Sequence, residues 1–323
     1  MGFKTHNQRE TVKHENEGQV YISPWIPNKS GPRTFRLLPD VQSDGTLMTE
    51  FDPTLDRTVA TITVHRIAEA WVKAMVDGQQ VDRKVLLDPF DPWGNPVWKL
   101  VSKTTEKGSK ERRMAQPKQV FHVNVFDLSP VLFQEDGTYL YPNEKNVFCV
   151  TANNKLVAPV TSRVKAKPLN QVRILTGSAG DPGGKHLLSQ FANLEGTVTD
   201  SEGMLLALYE LNLIMKTTGE GEKTQRTLQP TAFFNPIEQM VNTDGESILT
   251  IPRYDLATWT NNGKGWDYDA IERILAGEDF NEIVEEYDLK LFPELKAQEE
   301  VDVDYEDPAT YTRSKRQAVA DLL

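Results

Sequence analysis

The chain is poor in the residues that metal and redox chemistry use. Cys149 is its only cysteine among 323 residues. No intramolecular disulfide can form, and a thiolate-rich zinc site or a cysteine-ligated iron–sulfur cluster has no ligand set. The surrounding NVFCVTA is apolar, which suits a buried thiol better than a nucleophile. His6, His14, His65, His122 and His186 form no HExxH motif and no pair at close helical metal-ligand spacing. Long hydrophobic runs are missing as well, and none approaches the ~18 residues of a spanning helix. The first residues, MGFKTHNQRETVKHENEG, are polar, with no apolar signal region. These absences predict a soluble protein of a reducing cytoplasm that needs no metal or cofactor. Phosphate-loop patterns are absent too. GSAGDPGG and TTGEGEKT match neither GxxxxGK[ST] nor GxGxxG and read as turns. Asp52, Asp56, Asp88 and Asp91 sit in Pro/Gly-rich loops, where turn chemistry explains them better than magnesium or catalysis.

What is present is charge, unevenly spread. The formal net charge is −11, which taken alone argues against a nucleic-acid binder. Residues 264–323 hold 17 acidic and 7 basic residues, whereas residues 1–263 hold 30 acidic and 29 basic. The body is therefore almost neutral, and residues 99–118 are strongly basic. Lys99, Lys103, Lys107, Lys110, Arg112, Arg113 and Lys118 stand there against two acids. A second basic cluster contains Arg163, Lys165, Lys167 and Arg173.

Periodicity predicts many short strands and few long helices. RTFRLLPD (33–40) reads as a strand closed by Pro39. RTVATITVHRIAEAWVKAMVDG (57–78) starts extended and turns helical, with Ile67, Ala70, Trp71 and Ala74 as an apolar stripe and Gly78 as a cap. DPFDPWGNPVW (88–98) is a structured loop. KQVFHVNVFDL (118–128) alternates most clearly, with Phe121, Val123 and Val125 on one face and His122, Asn124 and Phe126 on the other. Residues 265–296 contain short helical pieces, and Ile271, Ile274 and Leu275 share a face. The fold class expected is mainly β with α additions, built on a small curled sheet or barrel.

The basic, aromatic stretch PVWKLVSKTTEKGSKERRMAQPKQVFHV is the strongest functional signal. Single-stranded nucleic acid needs cations along a groove and rings for exposed bases. A flexible basic loop leading into this strand puts His122 or Phe126 on a groove wall, or Phe121 if the sheet faces the other way. Trp98, Trp71 and Lys73 are further candidates, although Trp71 also fits a core anchor. The competing interpretation is a solvated basic hairpin over core aromatics. The acidic end can cover such a groove by charge attraction or present its tip to partner proteins.

In the order of these pieces the chain resembles the single-stranded DNA-binding, helix-destabilising proteins of tailed bacteriophages. RTFRLLPD is similar to that family's early strand, and DPFDPWGNPVW, SKTTEKGSKERRMAQPK and VFHVNVFDL to its loop leading into a core strand. ELNLIMKTTGEGEKTQRTLQPTAFFNP resembles its later strand–turn–strand segment. The resemblance implies an oligonucleotide-binding (OB) barrel core, cooperative coating of single strands, and roles in DNA replication, recombination and repair in an infected bacterial host cell. It implies phosphate contacts by Arg36, Lys99, Arg112 and Arg113, replication or recombination partners at the acidic C-terminus, and self-association on DNA. Some members carry a zinc ribbon beside the barrel. DPFDPWGNPVW has no cysteine, so zinc is not carried over, and Pro92, Trp93 and Trp98 would pack a metal-free version of that lobe.

The expected organisation is a flexible basic arm (1–18), an OB-like DNA-binding core with inserted loops (19–263), a short helical segment (264–296), and an acidic linker and tip (297–323). The expected protein is not an enzyme. The alternatives are a phage structural or assembly protein whose acidic tail binds another protein, and a metal-dependent nuclease.

Overall fold

The computed structural model describes residues 24–26, 32–42, 45–133, 139–142, 149–151, 156–157, 166–179, 186–218, 225–231, 237–242 and 244–296. The arm at 1–18, the tip at 297–323, Arg163 and Lys165 lie outside the described residues.

The chain opens with β1 (Arg33–Leu37), the hairpin β2–β3 (Thr49–Asp52 and Arg57–Ala60) and the long hairpin β4–β5 (His65–Val76 and Gln79–Leu87). Helices α1 (Pro96–Thr104) and α2 (Lys110–Ala115) lead into β6 (Lys118–Asp127). A separate five-stranded sheet follows, made of β7 (Pro130–Phe133), β8 (Tyr139–Pro142), β9 (Cys149–Thr151), β10 (Leu156–Val157) and β11 (Lys167–Pro168). Then come β12 (Gln171–Ser178), α3 (Leu187–Leu194), β13 (Leu213–Thr218) and β14 (Gln225–Pro230). The last part holds β15 (Arg253–Tyr254), α4 (Leu256–Trp259), α5 (Tyr268–Ala276), α6 (Phe280–Glu286) and β16 (Leu295–Lys296).

The fold is mainly β with a few helices. Its main sheet has seven antiparallel strands in the order β14-β13-β1-β6-β4-β5, and β12 also pairs with β6. β6 is the shared strand. One edge pairs with β4 through residues 118–122 and with β1 through residues 125–127, while the other pairs with β12 from Val120 to Asp127. The sheet branches at β6 and does not close into the expected barrel. Among the described residues no helix is long and apolar enough to cross a membrane.

Residues 65–76 form a strand, not the helix expected from Ile67, Ala70, Trp71 and Ala74. The burial has period two: Ala68, Ala70, Val72 and Ala74 are buried, while Glu69, Trp71 and Lys73 alternate with them. The decisive local signal is Asp77-Gly78. Their φ values of 50° and 75° are the paired left-handed conformations of a two-residue I′ hairpin turn. Gly78 is a turn residue rather than a helix cap.

Three clusters make the core. Ile67, Val72 and Val85 pack against Trp259, Ile271, Ile274 and Phe280 of the C-terminal helices. The boundary expected at residue 264 therefore coincides with no break in packing. Gly265 makes this join possible. With φ 74° it lets Trp266 N–H donate to Leu86 O at 2.9 Å, and a Cβ there would lie 2.7 Å from that carbonyl. The second cluster joins Phe35, Phe121, Val123 and Leu213 to Phe191 of α3, and the third joins Phe126 to Val59 and Ile248.

Candidate nucleic-acid interface

The strand expected to line a groove lies inside the protein. Phe121 and Phe126 are completely buried, and His122 is 1% exposed. β6 has core on both faces, so no ring in its middle can stack on a base. His122 Nδ1 lies 2.9 Å from Thr176 Oγ1, and its ring packs edge-on to Trp259 at 4.8 Å. Arg36 is also fully buried, and its Nε donates to Asn212 Oδ1 at 2.9 Å. Phosphate contact by Arg36 and base contact by Phe121, His122 or Phe126 are corrected on this ground.

The basic stretch is not a flexible loop. Asn95 Oδ1 accepts from Trp98 N–H at 3.0 Å, and Pro96 takes the first position of α1. A capping Asn followed by Pro starts a helix because both meet the backbone's needs at an N-terminus. Ser109 caps α2 by accepting from Arg112 N–H at 3.2 Å. The two helices divide the cations. Lys107, Lys110 and Arg113 are exposed. Arg112 is engaged: its guanidinium lies 5.3 Å over the Trp98 ring, and Nη1 donates to Thr105 O at 3.3 Å. Lys99 and Lys103 border a shallow cleft of about 430 Å³ toward α5, opposite Glu272.

A larger groove of about 540 Å³ opens where β6 begins and β12 ends. Lys118 and Gln119 form one wall, Thr176 to Ser178 another, and Trp93 stands at the border with Pro92. Arg226 of β14 also lines it and donates from Nη1 to Thr176 O at 2.8 Å. Burial lowers the Arg226 pKa, but a guanidinium remains a cation at neutral pH. Trp93 is half exposed and meets the half-buried Trp98 edge to face, with ring centroids 5.0 Å apart. The structure thus brings Trp93, Trp98, Arg112, Lys118 and Arg226 to one region.

The remaining candidates lie elsewhere in the sheet. Trp71 is half-buried on the β4–β5 hairpin beneath Lys84, whose Nζ is 5.9 Å from the ring centroid. Lys73 pairs with Asp82 at 2.7 Å. Lys167 is exposed but precedes β12. Eight residues at about 3.3 Å each set it roughly 25 Å from the end of β12 that lines the groove.

Trp93 and Arg226 line this groove, but the sequence does not single them out as contacts. Trp93 sits in DPFDPWGNPVW, where aromatic density was visible but exposure was not. Arg226 is an isolated cation among polar residues and reaches the groove only through the pairing of β14 with β13. No protein-family model matches the chain, and no curated protein matches it.

Proposed function

We propose that the protein binds single-stranded nucleic acid, and in particular single-stranded DNA, without reading its sequence. The observation that carries this reading is the groove of about 540 Å³ with Lys118 and Arg226 in its walls and Trp93 at its border. Cations neutralise phosphates and release counterions, while a ring stacks on any base because every base has a π-face. Lys107 in the turn between α1 and α2, with Lys110 and Arg113 on α2, extends the positive path. Capturing transiently open strands melts duplex by mass action and fits roles in replication, recombination and repair in an infected bacterial cell. The protein acts as a binder, not an enzyme.

An OB-like core agrees with the shared strand β6, which serves both arms of a branched sheet, although the sheet is open. The arm at 1–18 is assigned to self-association on DNA. Residues 297–323 are assigned to replication or recombination partners and to competition for the cationic groove.

Anisotropy of labelled oligo-dT at several salt concentrations tests the reading. Binding is expected at low salt and should weaken as salt rises, with log K linear in log salt. No binding at low salt, either by the whole chain or after removal of residues 297–323, would refute it.

A further inference from the structure

The loop between β5 and α1 is unusually well anchored for a segment that leaves two large rings in water. Asp88 Oδ1 accepts from Phe90 N–H at 2.7 Å, and Asp91 Oδ1 accepts from Gly94 N–H at 2.9 Å. A Cβ at Gly94 would lie 2.3 Å from the Asp91 carboxylate, so any larger residue would push that side chain out of its place in the turn. Gln119 Nε2 donates to Pro89 O at 2.7 Å, tying the loop to β6. Tyr268 Oη donates to Asp91 O at 3.2 Å, tying it to α5. Asn95 closes the segment as the helix cap. Yet Phe90 is 87% exposed and Trp93 50% exposed.

Ordering a loop costs conformational entropy, and exposing rings forfeits the hydrophobic return that normally offsets it. Here hydrogen bonds hold the backbone while the rings stay uncovered. Trp98 supports the Trp93 ring edge to face, and Arg112 lies over Trp98 in turn. A ring held in place beforehand loses little freedom when a flat partner lands on it.

We infer that residues 88–95 form a preformed stacking platform for unpaired nucleobases. Trp93 takes the base entering the groove, and Phe90 takes another base of the same strand. The inference rests on the single-strand reading above and names the chemistry of one part of that site. Nucleobases fit better than an apolar protein surface because the groove beside Trp93 sets the cations Lys118 and Arg226 and the polar Gln119 and Thr176 among the apolar Pro92, Pro117 and Val120, a mixture that suits flat rings carried on phosphates. Lys118, Arg226 and the exposed Ser178 suit a ring flanked by phosphates. Trp98 and Arg112 are positioning residues for Trp93.

The test compares labelled oligo-dT with an abasic deoxyribose-phosphate strand of equal length, using the full chain and its Trp93→Ala, Trp93→Phe and Phe90→Ala variants. Thermal melting first checks that each variant folds. The unaltered protein should prefer oligo-dT to the abasic strand. Trp93→Ala should weaken oligo-dT binding about tenfold, the scale of one lost stack, and leave abasic binding unchanged. Trp93→Phe should restore most of the loss, and Phe90→Ala should show a smaller loss of the same kind. Equal weakening on both strands would make Trp93 a structural support and overturn the inference. So would unchanged oligo-dT affinity in Trp93→Ala, which would turn the rings toward a protein partner while leaving the single-strand reading standing. If neither the unaltered protein nor the chain without residues 297–323 binds either strand at low salt, that reading fails and the platform with it.

Discussion

Glu69 carries its charge into a site that water barely reaches. Burial alone would raise its pKa. The ammonium of Lys84, 2.7 Å away, and His122 outweigh burial and hold the carboxyl at about 2, against an ordinary 4.5. A carboxyl depressed on folding adds stability above its unfolded pKa and loses that contribution as pH falls toward the folded value. The window for Glu69 is therefore 4.5 down to about 2. Glu69→Gln should be clearly destabilised at pH 7, because Lys84 then sits half-buried without its counter-charge. The gap to the unaltered protein should narrow as pH drops below 4.5. Urea midpoints from pH 7 downward would measure this, and a gap constant across that range would rule the charge out as its source. Such buried polar sites also mark the limit of what a sequence reveals. The alternation of Phe121, Val123 and Val125 against His122, Asn124 and Phe126 is plain, and it gives the correct faces of β6. It says nothing of whether the second face is covered, which depends on Trp259, 137 residues beyond His122. Arg36 had the same ambiguity: a guanidinium in a short strand contacts phosphate or fills the core according to partners far along the chain.

At the scale of elements, end signals were more informative than apolar spacing. Asn95-Pro96 and Ser109 mark the starts of α1 and α2, and Asp77-Gly78 marks the β4–β5 turn. By contrast, Ile67, Ala70, Trp71 and Ala74 fit a helical stripe and a strand about equally. Pairing with β5 and β6 decided for the strand. One small loop also recurs three times. The isolated bridges Val41–Leu47, Thr199–Leu205 and Val241–Ser247 each enclose a glycine, Gly45, Gly203 and Gly245, with φ of 81°, 84° and 84°. In each, the second residue donates its N–H four residues ahead, and the glycine N–H donates back to its carbonyl. The three sequences differ, but these hydrogen bonds are equivalent. For binding, the two helices and the turn that make up 96–115 have a consequence. Lys107, Lys110 and Arg113 are exposed on fixed backbone, whereas Arg112 is held by Trp98 and Thr105. Replacing Lys107, Lys110 and Arg113 together with Gln should leave thermal stability nearly unchanged and weaken oligo-dT binding at low salt. The salt slope should fall by about 2, at roughly 0.7 per phosphate contact on a single strand. An unchanged slope would place the strand's path on the other side of the groove.

For the whole molecule, the distribution of acid matters more than its sum. Residues 264–296 hold ten acidic and four basic residues, and residues 297–323 hold seven and three. The excess assigned to a tail is thus −6 on packed C-terminal structure and −4 beyond it. α5 brings part of the folded acid to α1, where Glu272 faces Lys99 and Lys103 across their cleft. Those two lysines share a cleft with one carboxylate, while Lys107, Lys110, Arg113 and Lys118 are further exposed cations of the strip. Competition for the groove divides accordingly. The acid of α5 and α6 is fixed by their packing and acts as a constant background. Residues 297–323 follow β16, whose Lys296 pairs with Arg253, so deleting them keeps every described residue of that layer in the chain. Deleting 297–323 should tighten oligo-dT binding severalfold at low salt, and the gain should shrink as salt screens the exchange. Because only −4 of charge leaves with the segment, the gain should stay modest. Affinity unchanged or weaker after deletion, across the whole salt series, would remove the tail as a competitor.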